Sequence, residues 1–385
     1  MRAQWKNMPR TIRRCAEPPL NLQTPGLPRE RKVAHNASIM PIPQAMTEYR
    51  DVDAAIFRDE ISSRYRPAVL RDFVKDWPAV RHAVESPEAV CRYLTGFDNG
   101  SPVDVLLLAP DARGRIAYRD DMAGFNYLRN KLPVSQVIEQ IARYSQFSNP
   151  PAVAIQSAQI SDCLPGFLAE NKLAVLDAAV QPRIWMGNTI TTPAHIDESN
   201  NLACVVSGSR RFTLFPPAQV GNLYLGPVDF TPTGSPISMA PLGQLHQPDF
   251  ARFPKTRDAL AAAQVAELGP GDAIYIPTLW WHQVESLGQL NILVNYWWKG
   301  EPGSATKTDS AFDCLLHALL NMNALPPEQK AAWRAIFDYY LFETNNDPAT
   351  HIAEHRRGVL GKPTPELQQE IKTWLVRRLQ GDFDR

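Results

Sequence analysis

The spacing of apolar and polar positions divides the chain into three textures. Up to about residue 182, helical and strand periods alternate. Ala54, Phe57 and Ile61 share one face of a helix predicted over 51–65 with Asp51 as its cap. Residues 67–71 then read as a short strand before the Trp77-Pro78 turn. A short helix is expected over 87–95, a buried strand over 103–108, and helices over 135–144 and 163–176. From 183 to 298 the texture changes to short β-rich runs (183–186, 202–206, 211–215, 273–276, 291–298). Turns such as Ser207-Gly208, Pro216-Pro217 and Gly269-Pro270-Gly271 punctuate them, a pattern that predicts a sandwich or barrel. The proline-rich stretch 226–254 reads as a long insertion loop.

After Gly300 the period becomes helical again. Phe312, Leu315, Leu316, Leu319 and Leu320 form one face, Pro326-Pro327 opens a second helix, and Thr364-Pro365 caps and opens a third. Such broad apolar faces either pack onto the sheet or associate with another copy. At the other end, residues 1–45 carry many prolines and little apolar periodicity, which predicts an extended or disordered leader. Met40 and Met46 stand just before the first ordered pattern, so either could serve as the start in place of Met1. The expected division is therefore a leader over 1–45, a catalytic domain over 46–300 and a helical region over 301–385.

Charge narrows the partners. Forty Lys+Arg balance forty Asp+Glu, so no global field steers the protein to nucleic acid or an anionic membrane, although a local basic patch stays open. No apolar run approaches the about 18 residues of a membrane span. The basic start meets Pro18 and Pro19 rather than an apolar segment, which argues against a secretory signal. The five cysteines are scattered with no CxxC spacing, so a disulfide framework or zinc finger is not expected and each reads as a small buried or half-buried thiol. A cytoplasmic, reducing location is the expectation.

The chemistry concentrates in Thr191-Thr-Pro-Ala-His195-Ile-Asp197. On an extended strand residues i and i+2 project to one face, so His195 and Asp197 can converge. A second imidazole, His282, follows the run Gly269-Pro-Gly-Asp272 and the strand that ends at Pro277. Two histidines and one carboxylate suit a facial Fe(II) site with open positions for other ligands. His35, His82, His246, His317, His351 and His355 have no second ligand at useful spacing and read as structural.

These residues carry a resemblance. His195-Ile-Asp197 through Asn201, Gly208 through Pro217, Gly271-Asp272 with Trp280-Trp281-His282, and Val294 through Gly300 resemble the cupin-like JmjC oxygenases. Within them the motifs are most similar to the branch containing the asparaginyl hydroxylase that inhibits hypoxia-inducible factor. The resemblance covers about residues 50–300. It implies a mainly β double-stranded β-helix (a cupin-like jelly roll) with N-terminal α/β elements and a C-terminal helical region that often builds a homodimer.

The resemblance further implies Fe(II) held by His195, Asp197 and His282, and 2-oxoglutarate as cosubstrate held by Thr192, Asn201, Arg210 and Asn295. Arg210 stands where relatives have a lysine on the distal carboxylate, and Ala154 where a relative has a tyrosine. Arg211, next door, should face the other way. Gln156 matches a substrate-side position, and Trp185 reads first as packing in the barrel core or at its mouth, with substrate contact second. O2 and a prime substrate, a protein side chain or a small molecule, complete the expected reaction, with nucleic acid disfavoured by the charge balance. Two other readings stay open: a non-catalytic cupin that binds a ligand or protein, and a metal-dependent cupin enzyme that does not use 2-oxoglutarate.

Overall fold

The computed structural model describes residues 41–232, 234–300, 310–342, 347–362 and 364–381. In chain order its early strands are β1 (Gln44–Ala45), β2 (Thr47–Tyr49), β3 (Ala68–Leu70), β4 (Val103–Leu108), β5 (Tyr127–Leu132), β6 (Ala152–Gln159) and β7 (Arg183–Gly187). There follow β8 (Thr191–His195), β9 (Asn200–Ser207), β10 (Arg210–Phe215), β11 (Gln264–Leu268), β12 (Ala273–Ile276), β13 (Trp281–Ser286) and β14 (Asn291–Trp298). They form a five-stranded sheet, β1-β11-β10-β13-β8, and a nine-stranded sheet, β2-β3-β12-β9-β14-β7-β6-β4-β5. This is the expected jelly roll with N-terminal α/β elements.

Alternation along the strands sorts the core into separate layers. Ala203, Val205, Phe212, Leu214, Ile274 and Leu293 point between the two sheets and pack with Trp280. Their strand neighbours Leu202, Cys204, Ala273, Ile292 and Val294 point outward, into a larger core. The helices Pro78–Glu85, Pro87–Thr95 and Val134–Tyr144 cover that outer face with Val80, Val90, Leu94, Val137 and Ile141. Outside the smaller sheet, Phe215 and Trp281 pack with Ala240 and Leu242 of the insertion and with Leu223 and Leu260 on either side of it. The inward layer is the one that matters for function, because it lines the space between the sheets.

Several expectations shift. The first helix is capped by Asp53, whose side chain accepts from Ile56 N at 2.8 Å, not by Asp51, whose backbone is left-handed at φ 52°. The helix expected over 163–176 breaks into Ile160–Cys163 and Phe167–Glu170 because Pro165 and Gly166, the latter at φ 94°, interrupt it. The leader expected over 1–45 lies outside the described residues up to 40, and its last part is paired: Gln44 and Ala45 run parallel to Gln264 and Val265 of β11. Among the cysteines, Cys163 and Cys204 are buried as expected, whereas Cys314 is exposed.

The tail is helical over Ala311–Met322, Pro327–Phe337 and Pro365–Leu379, as its period predicted. None of these helices buries a residue. Their apolar faces therefore do not pack onto the sheet: Leu320 is 83% exposed and Trp374 55%. The N–H of Phe312 donates to Glu198 Oε1 at 2.8 Å and ties the tail to the barrel.

Candidate metal centre

The centre is built where β8 meets β13. His195 stands directly opposite His282, and the next pair along is Thr192 with Val284. Three residues of β8 thus span the same length as two of β13. Simple alternation would send Thr192 and His195 to opposite faces, and this bulge returns both to the interior beside Val284. Asp197 lies just past the end of β8. Its backbone oxygen accepts from Leu279 N at 2.9 Å, which ties the carboxylate's loop to the turn preceding His282. Leu279 holds this bond in a left-handed conformation, φ 63°, an uncommon state for a branched side chain.

Both imidazoles are oriented by the same local device. His195 Nδ1 lies 2.9 Å from the oxygen of Pro193, and His282 Nδ1 lies 3.0 Å from that of Trp280. A carbonyl only accepts, so each Nδ1 carries a proton and each Nε2 is the ring nitrogen left for a metal. The two rings stand 4.2 Å apart, and His282 Nε2 is 3.6 Å from Asp197 Oδ2. One ligand atom from each of the three residues falls within 4.8 Å of the others. Burial, and then the neighbouring His195, pull His282 down to about 4, so it is neutral near neutral pH. Asp197 Oδ2 is buried with no hydrogen-bond partner. An orphaned carboxylate oxygen beside two imidazole nitrogens is a donor set that fits a divalent cation.

The strand that carries the ligands is held on its outer edge as well. Ser238 N donates to Ala194 O at 2.8 Å and Ser235 Oγ to Ile196 O at 2.7 Å. On the same edge Thr191 exchanges backbone bonds with Gly114 and Ile116. The insertion 226–254 is thus bonded to the backbone on either side of His195, a role its proline-rich sequence did not reveal.

The other predicted residues fall as follows. Thr192 faces inward with Val284. Asn201 and Asn295 are buried, 6% and 2% exposed, on the inward positions of β9 and β14, and Asn295 Nδ2 donates to Asn201 Oδ1 at 3.3 Å. Arg210 lies on the inward face of β10, four residues from Leu214, which pairs with His282. It is 6% exposed, its Nε has no partner, and it makes no ion pair among the described residues. Burial lowers it to about 10, which leaves it a cation at neutral pH. Arg211 faces outward, paired with Glu267 Oε1 at 2.7 Å. Ala154 is buried beside Ile116 and Ile190. Gln156 is half-buried on β6, next to Ser157 with its left-handed backbone. Trp185 faces inward, and its indole N–H donates to Asn295 Oδ1 at 2.9 Å.

The profile of the cupin-like domain matches residues 53–304. Over 136 residues the chain is 32% identical to lysine-specific demethylase JMJ31 of Arabidopsis thaliana, a stretch that is 35% of this chain and 23% of that protein. Over 154 residues it is 30% identical to HSPB1-associated protein 1 of Homo sapiens, covering 39% of this chain and 30% of the relative. A longer match, 26% over 264 residues, joins 61% of the chain to 78% of the human bifunctional peptidase and (3S)-lysyl hydroxylase JMJD7. The chain therefore spans less than a third of the first two relatives' own length.

Proposed function

The chain belongs to the cupin-like domain family, and from that premise we propose that it is a Fe(II)- and 2-oxoglutarate-dependent oxygenase, a hydroxylase acting on a protein side chain or a small molecule. The observation that carries this reading is the pairing of two unmet demands on one inward surface: the orphaned Asp197 oxygen beside His195 and His282, and the unpaired guanidinium of Arg210. Imidazole and carboxylate donors in a two-to-one set suit Fe(II). When bound, iron and 2-oxoglutarate supply the activation of O2 and the oxidising equivalents.

The protein's own part is positional. His195, Asp197 and His282 hold the metal, and the carbonyls of Pro193 and Trp280 keep the imidazoles in the tautomer it requires. Arg210 takes the distal carboxylate. Its planar fork can make two charge-assisted bonds with it. Thr192, Asn201 and Asn295 add neutral hydrogen bonds. The apolar layer of Phe212, Leu214, Ile276 and Trp280 keeps water from the remaining space. No side chain is needed as a general base, in keeping with a reaction whose chemistry resides in the metal.

Two relatives are named for action on lysine, which supports a protein side chain as prime substrate. Assignment to the asparaginyl hydroxylase branch rests on the motif resemblance. The exposed helix faces of the tail support a homodimer. The described residues include no helix long and apolar enough to cross a membrane, and a cytoplasmic location completes the reading. The test is O2 consumption by Fe(II)-loaded protein with succinate release. Uptake that depends on 2-oxoglutarate and vanishes in His195→Ala supports the assignment; uptake indifferent to 2-oxoglutarate overturns it.

A further inference from the structure

The polarity of the two buried amides has a cause deeper in the barrel. Trp185 and Asn295 sit on the paired strands β7 and β14, diagonal neighbours on the inward face, since Trp185 pairs with Leu293 and Arg183 with Asn295. An indole nitrogen donates and cannot accept. The 2.9 Å bond from Trp185 Nε1 therefore requires the oxygen of Asn295 to face it, and turns the Asn295 amide nitrogen the other way. That nitrogen lies 3.3 Å from Asn201, which must then offer its own oxygen. What Asn201 has left for a ligand is N–H. The order donor, relay, donor runs in one direction only, because it begins at a group with a single role. The indole is itself fixed by an edge-to-face contact with Trp297, centroids 6.0 Å apart.

We propose that Trp185 is a positioning residue that locks Asn295 and Asn201 into donor polarity, so that this wall of the cavity selects a ligand whose facing atoms are acceptors only, as in a carboxylate or keto acid. Trp185 acts through Asn295 and touches no reacting atom. The inference rests on the cosubstrate reading above and adds a residue and a selectivity to it. Without the indole, Asn295 and Asn201 are free to turn over, and half of their orientations present an oxygen to the ligand's oxygen.

The experiment is a double-variant cycle on the full Fe(II)-loaded chain, reading the dissociation constant of 2-oxoglutarate by anaerobic titration calorimetry. The expected loss for Trp185→Phe is roughly five- to ten-fold, the weight of one hydrogen bond. In an Asn295→Ala background the same change should cost less than about two-fold, since the relay is already cut. Equal losses in both backgrounds would show a packing effect and overturn the relay, as would no loss in the native background. If Trp185→Phe does not fold, Asn295→Asp takes its place, keeping an acceptor for the indole but offering Asn201 no N–H. It must weaken binding, and wild-type affinity would overturn the relay. No binding heat with the wild-type protein would instead overturn the cosubstrate reading itself.

Discussion

The space between the sheets and the helical tail are both incomplete, in opposite senses. Between the sheets an apolar floor is closed and fully buried, with Val205, Leu214 and Ile274 at 0% exposure, and what lacks a partner is polar: Asp197 Oδ2 and Arg210 Nε. In the tail the polar groups are solvated, and what lacks a partner is apolar: Leu320, Leu341, Phe342 and Trp374 all lie more than half exposed. A buried unpaired charge is costly and calls for a counter-charge. An exposed aromatic face calls for another surface. On the proposed reading the two regions therefore take different occupants, a small anionic ligand with a cation in one and a second chain in the other.

Breaking the first demand gives the largest effect. Asp197→Ala should reduce bound iron, measured by elemental analysis, to background and abolish turnover. The loss should exceed the roughly 10–100-fold typical of changes outside the coordinating set. Thermal stability of the metal-free protein should not fall, because the residue removed has a buried oxygen without a partner. A metal-free Tm that drops would show that Asp197 serves the fold instead.

Arg210→Met sharpens the same point with two readouts of opposite sign. Affinity for 2-oxoglutarate should fall on the order of 100-fold, the weight of a bidentate charge-assisted pair. The ligand-free protein should gain on the order of 1 kcal/mol in stability, seen by scanning calorimetry, as a buried cation gives way to a packed thioether. Loss of both affinity and stability would mean that Arg210 has a structural partner.

In the tail, Trp374→Asp together with Leu379→Asp should halve the mass measured by light scattering and leave iron content unchanged. Native protein already at monomer mass would contradict the proposed second copy.

The smallest effect is at Leu279. Leu279→Gly relieves a left-handed backbone worth about 1–2 kcal/mol but adds unfolded-state freedom worth about 0.5–1 kcal/mol. The net change by denaturant titration should stay within about 1 kcal/mol. Iron affinity should change less than about two-fold, because the Leu279 N–H bond to Asp197 O survives.

What could be read from the sequence follows the same division. The grouping of His195, Asp197 and His282 was legible from the short His-x-Asp spacing and a second histidine after a strand, although Asp197 lies just past the end of β8 and not on the strand the spacing implied. Thr192 was placed with them only by resemblance, since its inward direction depends on the bulge opposite Val284, which no local pattern records. The strands of the barrel over 202–206, 211–215 and 291–298 were evident as short β-rich runs set between turns. Strands β5 and β6 were missed: β5 is an edge strand, exposed through Leu128 to Lys131, and β6 carries Gln156 and Ser157 beside a register shift. Trp185 read first as packing for the barrel and second as a substrate contact, because a sequence shows a large aromatic but not the amide its N–H will meet. The tail's helices were legible from their period, yet whether their faces met the sheet depended on tertiary packing.

The most direct test of the central claim is an anaerobic titration of 2-oxoglutarate into Fe(II)-loaded protein, followed in the visible spectrum. The account predicts a saturable metal-to-ligand charge-transfer band that is absent in His195→Ala and shifted to far higher concentrations in Arg210→Met. Iron bound in stoichiometric amount with no such band at any concentration would contradict it.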